Sequence, residues 1–91
     1  MAARNTFTKD PDAVLDYQFD WSSWLATDET IASTDVTVTG VTLDSSPNDD
    51  TSVVAWVSGG TAGTAATVSC EITTSANRTD ERTITLRVID R

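Results

Sequence analysis

The stretch Val14–Trp21, with the sequence VLDYQFDW, decides the fold class of this 91-residue chain. Leu15, Tyr17 and Phe19 alternate there with acidic or amide side chains. A period of two is typical of a strand that has one buried face and one solvated face. The stretch therefore predicts a strand whose aromatic face packs on a core and whose acidic face meets solvent.

Other apolar stretches predict further strands between clusters of turn-forming residues. They are Thr30–Val38 with a bulge near residues 33–35, Val41–Leu43, Thr51–Ser58, Ala66–Ile72 and Arg82–Val88. The run within Thr51–Ser58 is apolar on both faces, which predicts a central strand covered on both sides. The last two stretches predict a long antiparallel hairpin around a turn at 75–78. About six to seven short strands and no convincing helix predict an all-β, antiparallel β-sandwich.

The first ten residues differ from the patterned region that follows them. Phe7 is their one large aromatic side chain, and an Asp-Pro-Asp turn at 10–12 sets them apart. The sequence predicts an extended N-terminal arm over residues 1–10 and a sandwich over residues 11–91. Such an arm is either a disordered tail or a segment ordered on a neighbouring subunit, with Phe7 as its anchor.

The composition is acidic and leaves few reactive groups. The chain has 14 Asp and Glu against 6 Lys and Arg, no histidine, and a formal net charge of -8. Because a phosphate backbone is bound by clustered Lys and Arg, this balance predicts no nucleic-acid partner. The chain has no apolar run of membrane-spanning length, which predicts a soluble protein with no membrane partner. A core this small also benefits from packing on neighbouring subunits.

The sequence predicts no catalytic, cofactor or metal site. Cys70 shares a strand face with Val68 and Ile72, so it is expected to be a small core residue. The Asp44–Asp50 loop is rich in the oxygen ligands that calcium prefers, but it matches no defined calcium loop and is expected to be a polar turn. We therefore expect a protein that is not an enzyme and needs no cofactor or metal.

The three tryptophans are expected to differ in burial. Trp21 continues the aromatic face of the first strand and Trp56 lies in an apolar strand, so both are predicted to be core residues. Trp24 follows the strand in a loop, and its position is open. An exposed Trp24 would be the expected feature of a sugar-stacking surface.

Four segments together span most of the chain after residue 8: Lys9–Tyr17, Asp20–Leu25, Trp56–Thr64 and Arg78–Ile84. They resemble small immunoglobulin-like structural proteins of tailed bacteriophages, of the fibre-tail or head-tail adaptor type. The resemblance implies an immunoglobulin-like sandwich. It also implies a virion component that acts by assembly rather than by turnover.

The adaptor implied by this resemblance is made in the host cytoplasm and lies in the tail or head-tail region of the virion. It links tail or portal components to fibres by protein–protein contacts, as a symmetric homo-oligomer. Two alternatives stay open: a capsid decoration protein, and a carbohydrate- or receptor-binding module. Edge strands and the arm would make the contacts, with charged pairs in a turn at 80–82 setting the register. The candidate interface residues are Phe7, Lys9, Trp24, Arg78, Asp80, Glu81 and Arg82.

Overall fold

Strand formation follows the period-two pattern of the sequence. The structure is a computed structural model, and it describes residues 6–90. Within them lie β1 (Thr6–Lys9), β2 (Leu15–Asp20), β3 (Ile31–Thr39), β4 (Thr42–Ser45), β5 (Ser52–Ser58), β6 (Ala65–Thr74) and β7 (Thr79–Val88). This range contains no helix, and so none that is long and apolar enough to cross a membrane. The all-β prediction is confirmed.

The strands form two sheets, as expected for a small β-sandwich. A four-stranded sheet has the order β1-β7-β6-β3, and a three-stranded sheet has the order β2-β5-β4. The predicted hairpin is confirmed, because β6 and β7 pair antiparallel from Ala65 opposite Arg87 to Thr73 opposite Thr79. The immunoglobulin-like character of the sandwich stays a prediction.

One pair departs from the predicted antiparallel arrangement. β1 pairs parallel with β7, with Thr6 opposite Thr85 and Lys9 opposite Val88. The two strands come from opposite ends of the chain, so no hairpin forces them to run in opposite directions. The four-stranded sheet is therefore mixed.

The segment predicted as an N-terminal arm contributes this edge strand. Thr6–Lys9 pair within the chain's own sheet, and the Ile89 amide donates a hydrogen bond of 2.9 Å to the Lys9 carbonyl. The rest of the predicted arm, residues 1–5, lies outside the described residues. The division into an arm and a sandwich stays a prediction.

Both sheets contribute to one hydrophobic core. Its buried members are Phe19, Trp21, Ile31, Val53, Ala55, Val57, Ala66, Val68, Cys70, Ile72, Leu86 and Val88. Trp21 and Cys70 are fully buried, as predicted, and burial raises the pKa of the Cys70 thiol to about 11. A thiol with so high a pKa stays protonated at neutral pH and is a poor nucleophile.

Trp56 lies outside this core, and the prediction that it is buried is wrong. Its side chain is 39% exposed. β5 is the central strand of its sheet, but only its inner face is covered, by Val53, Ala55 and Val57. Because the run VVAWV is apolar at every position, its pattern does not indicate which face is inside.

Two local features differ in position from the sequence prediction. The register of β3 on β6 shifts between Ile31 and Ser33, slightly before the predicted bulge. The turn expected at residues 80–82 lies earlier, because Asp80–Arg82 already pair with β6 within β7. The reversal takes place over 75–78, where Asn77 adopts a positive φ of 64° that an Asn accepts readily.

Candidate interface

Phe7 lies on β1, at the edge of the four-stranded sheet that faces β2 of the other sheet. Its side chain is 36% exposed, and its ring centroid lies 5.4 Å from that of Tyr17 on β2. Burial, and then the neighbouring charge of Asp16, raises the pKa of Tyr17. Phe7 thus joins β1 to the second sheet and still presents part of its ring to solvent.

Lys9 has a structural role within the chain. It is completely buried, and its Nζ donates hydrogen bonds to the carbonyls of Asp10 (2.9 Å) and Gly59 (2.7 Å). Gly59 follows β5, so the ammonium ties the end of β1 to the other sheet. Its donors are engaged inside the fold, and we do not include Lys9 in the proposed interface.

Arg78 and Trp24 form a cluster around a buried acid, Glu29. The Arg78 Nε donates to Glu29 Oε2 at 2.9 Å, and its guanidinium carbon lies 4.1 Å from the Trp24 ring centroid. Thr74 Oγ1 and the Ala26 amide also donate to the Glu29 carboxylate. The Arg78 guanidinium, then Thr74 and Ala26, lower the pKa of Glu29 to about 2. The cluster fixes the loop after β2 to the turn between β6 and β7.

Arg82 makes a second stack of the same kind. Its guanidinium carbon lies 4.0 Å from the Trp21 ring centroid, and Nη1 donates to the Asp20 carbonyl at 2.8 Å. The Trp21 and Trp24 rings meet edge to face at 5.5 Å. Arg82 and Arg78 therefore cover the two tryptophans, while parts of both arginines stay exposed.

The remaining candidates lie on a partly unpaired strand. β1 pairs only with Thr85–Val88, so in the described part of the chain Thr79–Ile84 has a neighbouring strand, β6, on one side only. Asp80 and Glu81 lie in this segment, with Asp80 half-buried and Glu81 exposed. The structure thus brings Asp80, Glu81 and Arg82 to one open strand edge.

Two residues of interest were missed by sequence reasoning. Glu29 lies among polar residues at 27–30, and no sequence pattern there indicates that it is buried. The sequence pattern predicts Trp56 to be a core residue, and only the strand register shows that it faces outward opposite Asp16. Both positions depend on contacts between distant segments of the chain, which the pattern of a single strand does not contain.

The Asp44–Asp50 loop uses its carboxylates to build a turn. Asp49 Oδ1 accepts hydrogen bonds from the Thr51 amide (2.9 Å), the Ser52 amide (2.8 Å) and Ser52 Oγ (3.0 Å). These donors lower the pKa of Asp49. Among residues 6–90, no group of three or more His, Cys, Asp or Glu is arranged to hold a metal ion.

Comparison with known proteins agrees with the resemblance seen in the sequence. A model of the Gp77 family, described as podophage GP4 fiber-tail adaptor protein gp77, matches residues 9–87. No curated protein gives a significant match. The family match covers the region from the end of β1 through most of β7. The chain therefore belongs to the Gp77 family of podophage fiber-tail adaptor proteins.

Proposed function

We propose that this chain is a non-enzymatic adaptor that links a tail or portal component to a fibre, and that one of these proteins binds at the open edge of β7. The family match supports a phage adaptor in contact with other virion proteins. The observation that carries the proposal is the segment Thr79–Ile84, which within residues 6–90 has a neighbouring strand on one side only. Unpaired strand edges are common sites for the addition of a strand from another chain.

The dimensions and chemistry of this edge suit strand addition. Six residues correspond to about the usual length of a strand. Backbone groups would provide affinity, and the neighbouring charges of Asp80, Glu81 and Arg82 would select register and partner. Phe7 lies at the adjoining edge and offers an apolar contact beside the added strand. We propose that copies of the chain are arranged in a symmetric ring, as closed assemblies usually are.

No observation favours the carbohydrate-binding alternative at Trp24. That alternative requires an open indole face, whereas Arg78 stacks on the Trp24 ring and Trp21 packs against the same ring. The decoration-protein alternative predicts a different copy number. Quantitative mass spectrometry of purified virions would give about a dozen copies, or a small multiple, for a connector ring and hundreds for a decoration protein.

A matched pair of charge reversals tests the edge contact. Glu81 and Glu71 are exposed, lie directly opposite each other and belong to the same sheet face, but only Glu81 is on the open strand. A phage that lacks the gene would be complemented with Glu81→Lys or Glu71→Lys. We expect Glu81→Lys to reduce the chain or the fibres in purified virions, and Glu71→Lys to behave as wild type.

The control is expected to fold well. Glu71 lies opposite both Glu81 and Asp35, so three acids form one row across the sheet, and like charges placed opposite each other are destabilising. A lysine at 71 would relieve this repulsion. Normal incorporation of the Glu81→Lys protein, with a normal number of fibres, would contradict the edge contact.

A further inference from the structure

The three tryptophans of this chain differ in one respect. Trp21 and Trp24 each lie under an arginine, with guanidinium carbons 4.0 Å and 4.1 Å from the ring centroids. Trp56 has no cation over its ring within residues 6–90, and its side chain is 39% exposed. Among the described residues, arginine–indole stacking thus occurs twice, and the third indole has no such cover.

A carboxylate that can pair with a cation lies next to Trp56. Trp56 points outward from β5, and in the strand register Asp16 of β2 lies directly opposite it. Residues paired across antiparallel strands have Cβ atoms about 4.5–5.5 Å apart. Asp16 is exposed and has no ion-pair or hydrogen-bond partner for its carboxylate among the described residues. An aromatic face and a free carboxylate therefore lie side by side.

The rest of this sheet face has one sign of charge. β2, β4 and β5 together contain the acids Asp16, Asp20 and Asp44 and contain no Lys or Arg. Val14, at 59% exposed, adds apolar surface next to the start of β2. A partner that covers this face must supply positive charge, because burial of Asp16 without a counter-charge is costly.

We propose that the outer face of the β2-β5-β4 sheet binds a segment of a partner virion protein that presents an arginine. The guanidinium stacks on Trp56 and donates hydrogen bonds to the Asp16 carboxylate, as Arg78 does with Trp24 and Glu29 inside the chain. This inference rests on the proposed adaptor function. An adaptor needs two binding surfaces, and this one lies on the opposite sheet from the open edge of β7.

Titration of the purified full-length chain tests the chemistry of the site. The probe is the peptide acetyl-Gly-Arg-Gly-Arg-Gly-amide, followed by the shift of the Trp56 indole N–H in two-dimensional NMR spectra. We expect a saturable shift, about tenfold weaker binding by the matched citrulline peptide, and a similar loss in Asp16→Asn. No shift, or equal binding of the citrulline peptide, would overturn the proposal.

The chain's own terminal arginines are the first competing occupants to exclude. The indole N–H of Trp56 should keep its position in the double variant Arg4→Ala, Arg91→Ala, with no peptide present. A shift in that variant would mean that this chain supplies the cation itself, which would overturn the proposal.

Cross-linking in the virion identifies the partner. Gln18 is exposed on the same face and lies opposite Val54, so a benzophenone amino acid at position 18 leaves Trp56 and Asp16 intact. We expect cross-links to an arginine-containing peptide of another virion protein, and their loss in Trp56→Leu. Cross-links only to a second copy of this chain, or only to peptides without arginine, would refute the proposal. The peptide titration involves no virion, so its outcome is independent of the Glu81→Lys test of the adaptor function.

Discussion

Glu29 shows how a single buried carboxylate can hold several elements together. It accepts hydrogen bonds from Arg78 in the turn between β6 and β7, from Thr74 at the end of β6, and from the Ala26 amide in the loop after β2. Together these donors satisfy an acid that is only 8% exposed. A buried charge is tolerated when it is paired and hydrogen-bonded in this way.

The depressed pKa of Glu29 predicts how its contribution depends on pH. The folded value of about 2 lies below the ordinary 4.5, so its contribution is present above about pH 4.5 and is lost as the pH falls toward 2. Glu29→Gln should lower the urea midpoint at pH 7. The difference from wild type should shrink between pH 4.5 and 2, because wild-type Glu29 then becomes neutral as well.

Asp28→Asn is the matched control for this measurement. Asp28 is the adjacent acid, is exposed, and makes no hydrogen bond or ion pair among residues 6–90. Its φ of 64° is one that Asn also adopts readily. Urea midpoints for this variant should follow wild type at every pH. A Glu29→Gln deficit that stayed constant down to pH 2 would show that the carboxylate charge is not the cause.

The turn between β3 and β4 depends on one glycine. Gly40 has a φ of +77°, and a Cβ placed on it would lie 3.0 Å from the Ala66 Cβ and 3.2 Å from the Ala66 Cα. Ala66 is fully buried in the central strand β6, so it has no room to move away. The turn therefore requires both the conformational freedom and the small size of glycine.

Alanine substitutions separate these two requirements. Gly63 has a φ of +86° with no atom within 4 Å of a built Cβ, so Gly63→Ala should cost only the backbone strain, about 1 kcal/mol. Gly40→Ala should cost about 1–3 kcal/mol more, because it adds the clash with Ala66. The free energies of unfolding in urea measure both. Equal losses would mean that the contact with Ala66 is easily relieved.

Elements with a clear period of two could be predicted from the sequence. The alternation of apolar and polar residues in Leu15–Asp20 and in Arg82–Val88 predicts β2 and the second half of β7, because each strand has one buried face. The orientation of β5 could not be predicted, because its run of consecutive apolar residues does not indicate which face is buried. The parallel pairing of β1 was also missed, because four residues at one end of the chain do not indicate which distant strand they meet.

The candidate interface could also be predicted only in part from the sequence. The sequence predicts a charged contact at Arg78, Asp80, Glu81 and Arg82, and the structure brings these residues to one end of β7. The sequence does not indicate whether a charged side chain has a partner inside the fold, because such contacts join segments that are distant along the chain. Lys9 makes this clear, because its ammonium is bound to Gly59, 50 residues away.

Lys9 is a main connection between the two sheets at the β1 edge. Its Nζ binds the carbonyls of Asp10 and Gly59, and the adjacent Phe7 ring packs on Tyr17. Deleting the N-terminal segment would therefore remove a structural connection along with any docking function. Point substitutions separate these roles better than a truncation does.

Lys9→Met should loosen β1 while leaving the hairpin intact. Methionine keeps the apolar stem but donates no hydrogen bond, so the Gly59 carbonyl loses its Lys9 donor at about 1–3 kcal/mol. The Asp10 carbonyl loses Lys9 as well but still accepts a hydrogen bond from the Ala13 amide. Hydrogen–deuterium exchange should become at least about tenfold faster in Thr6–Lys9 and at Ile89, whose amide donates to the Lys9 carbonyl, relative to Val68 at the centre of β6. Phe7→Ala, which removes only the ring contact, should cause a smaller change at Ile89. Unchanged exchange in Lys9→Met would show that backbone pairing with β7 alone holds β1 in place.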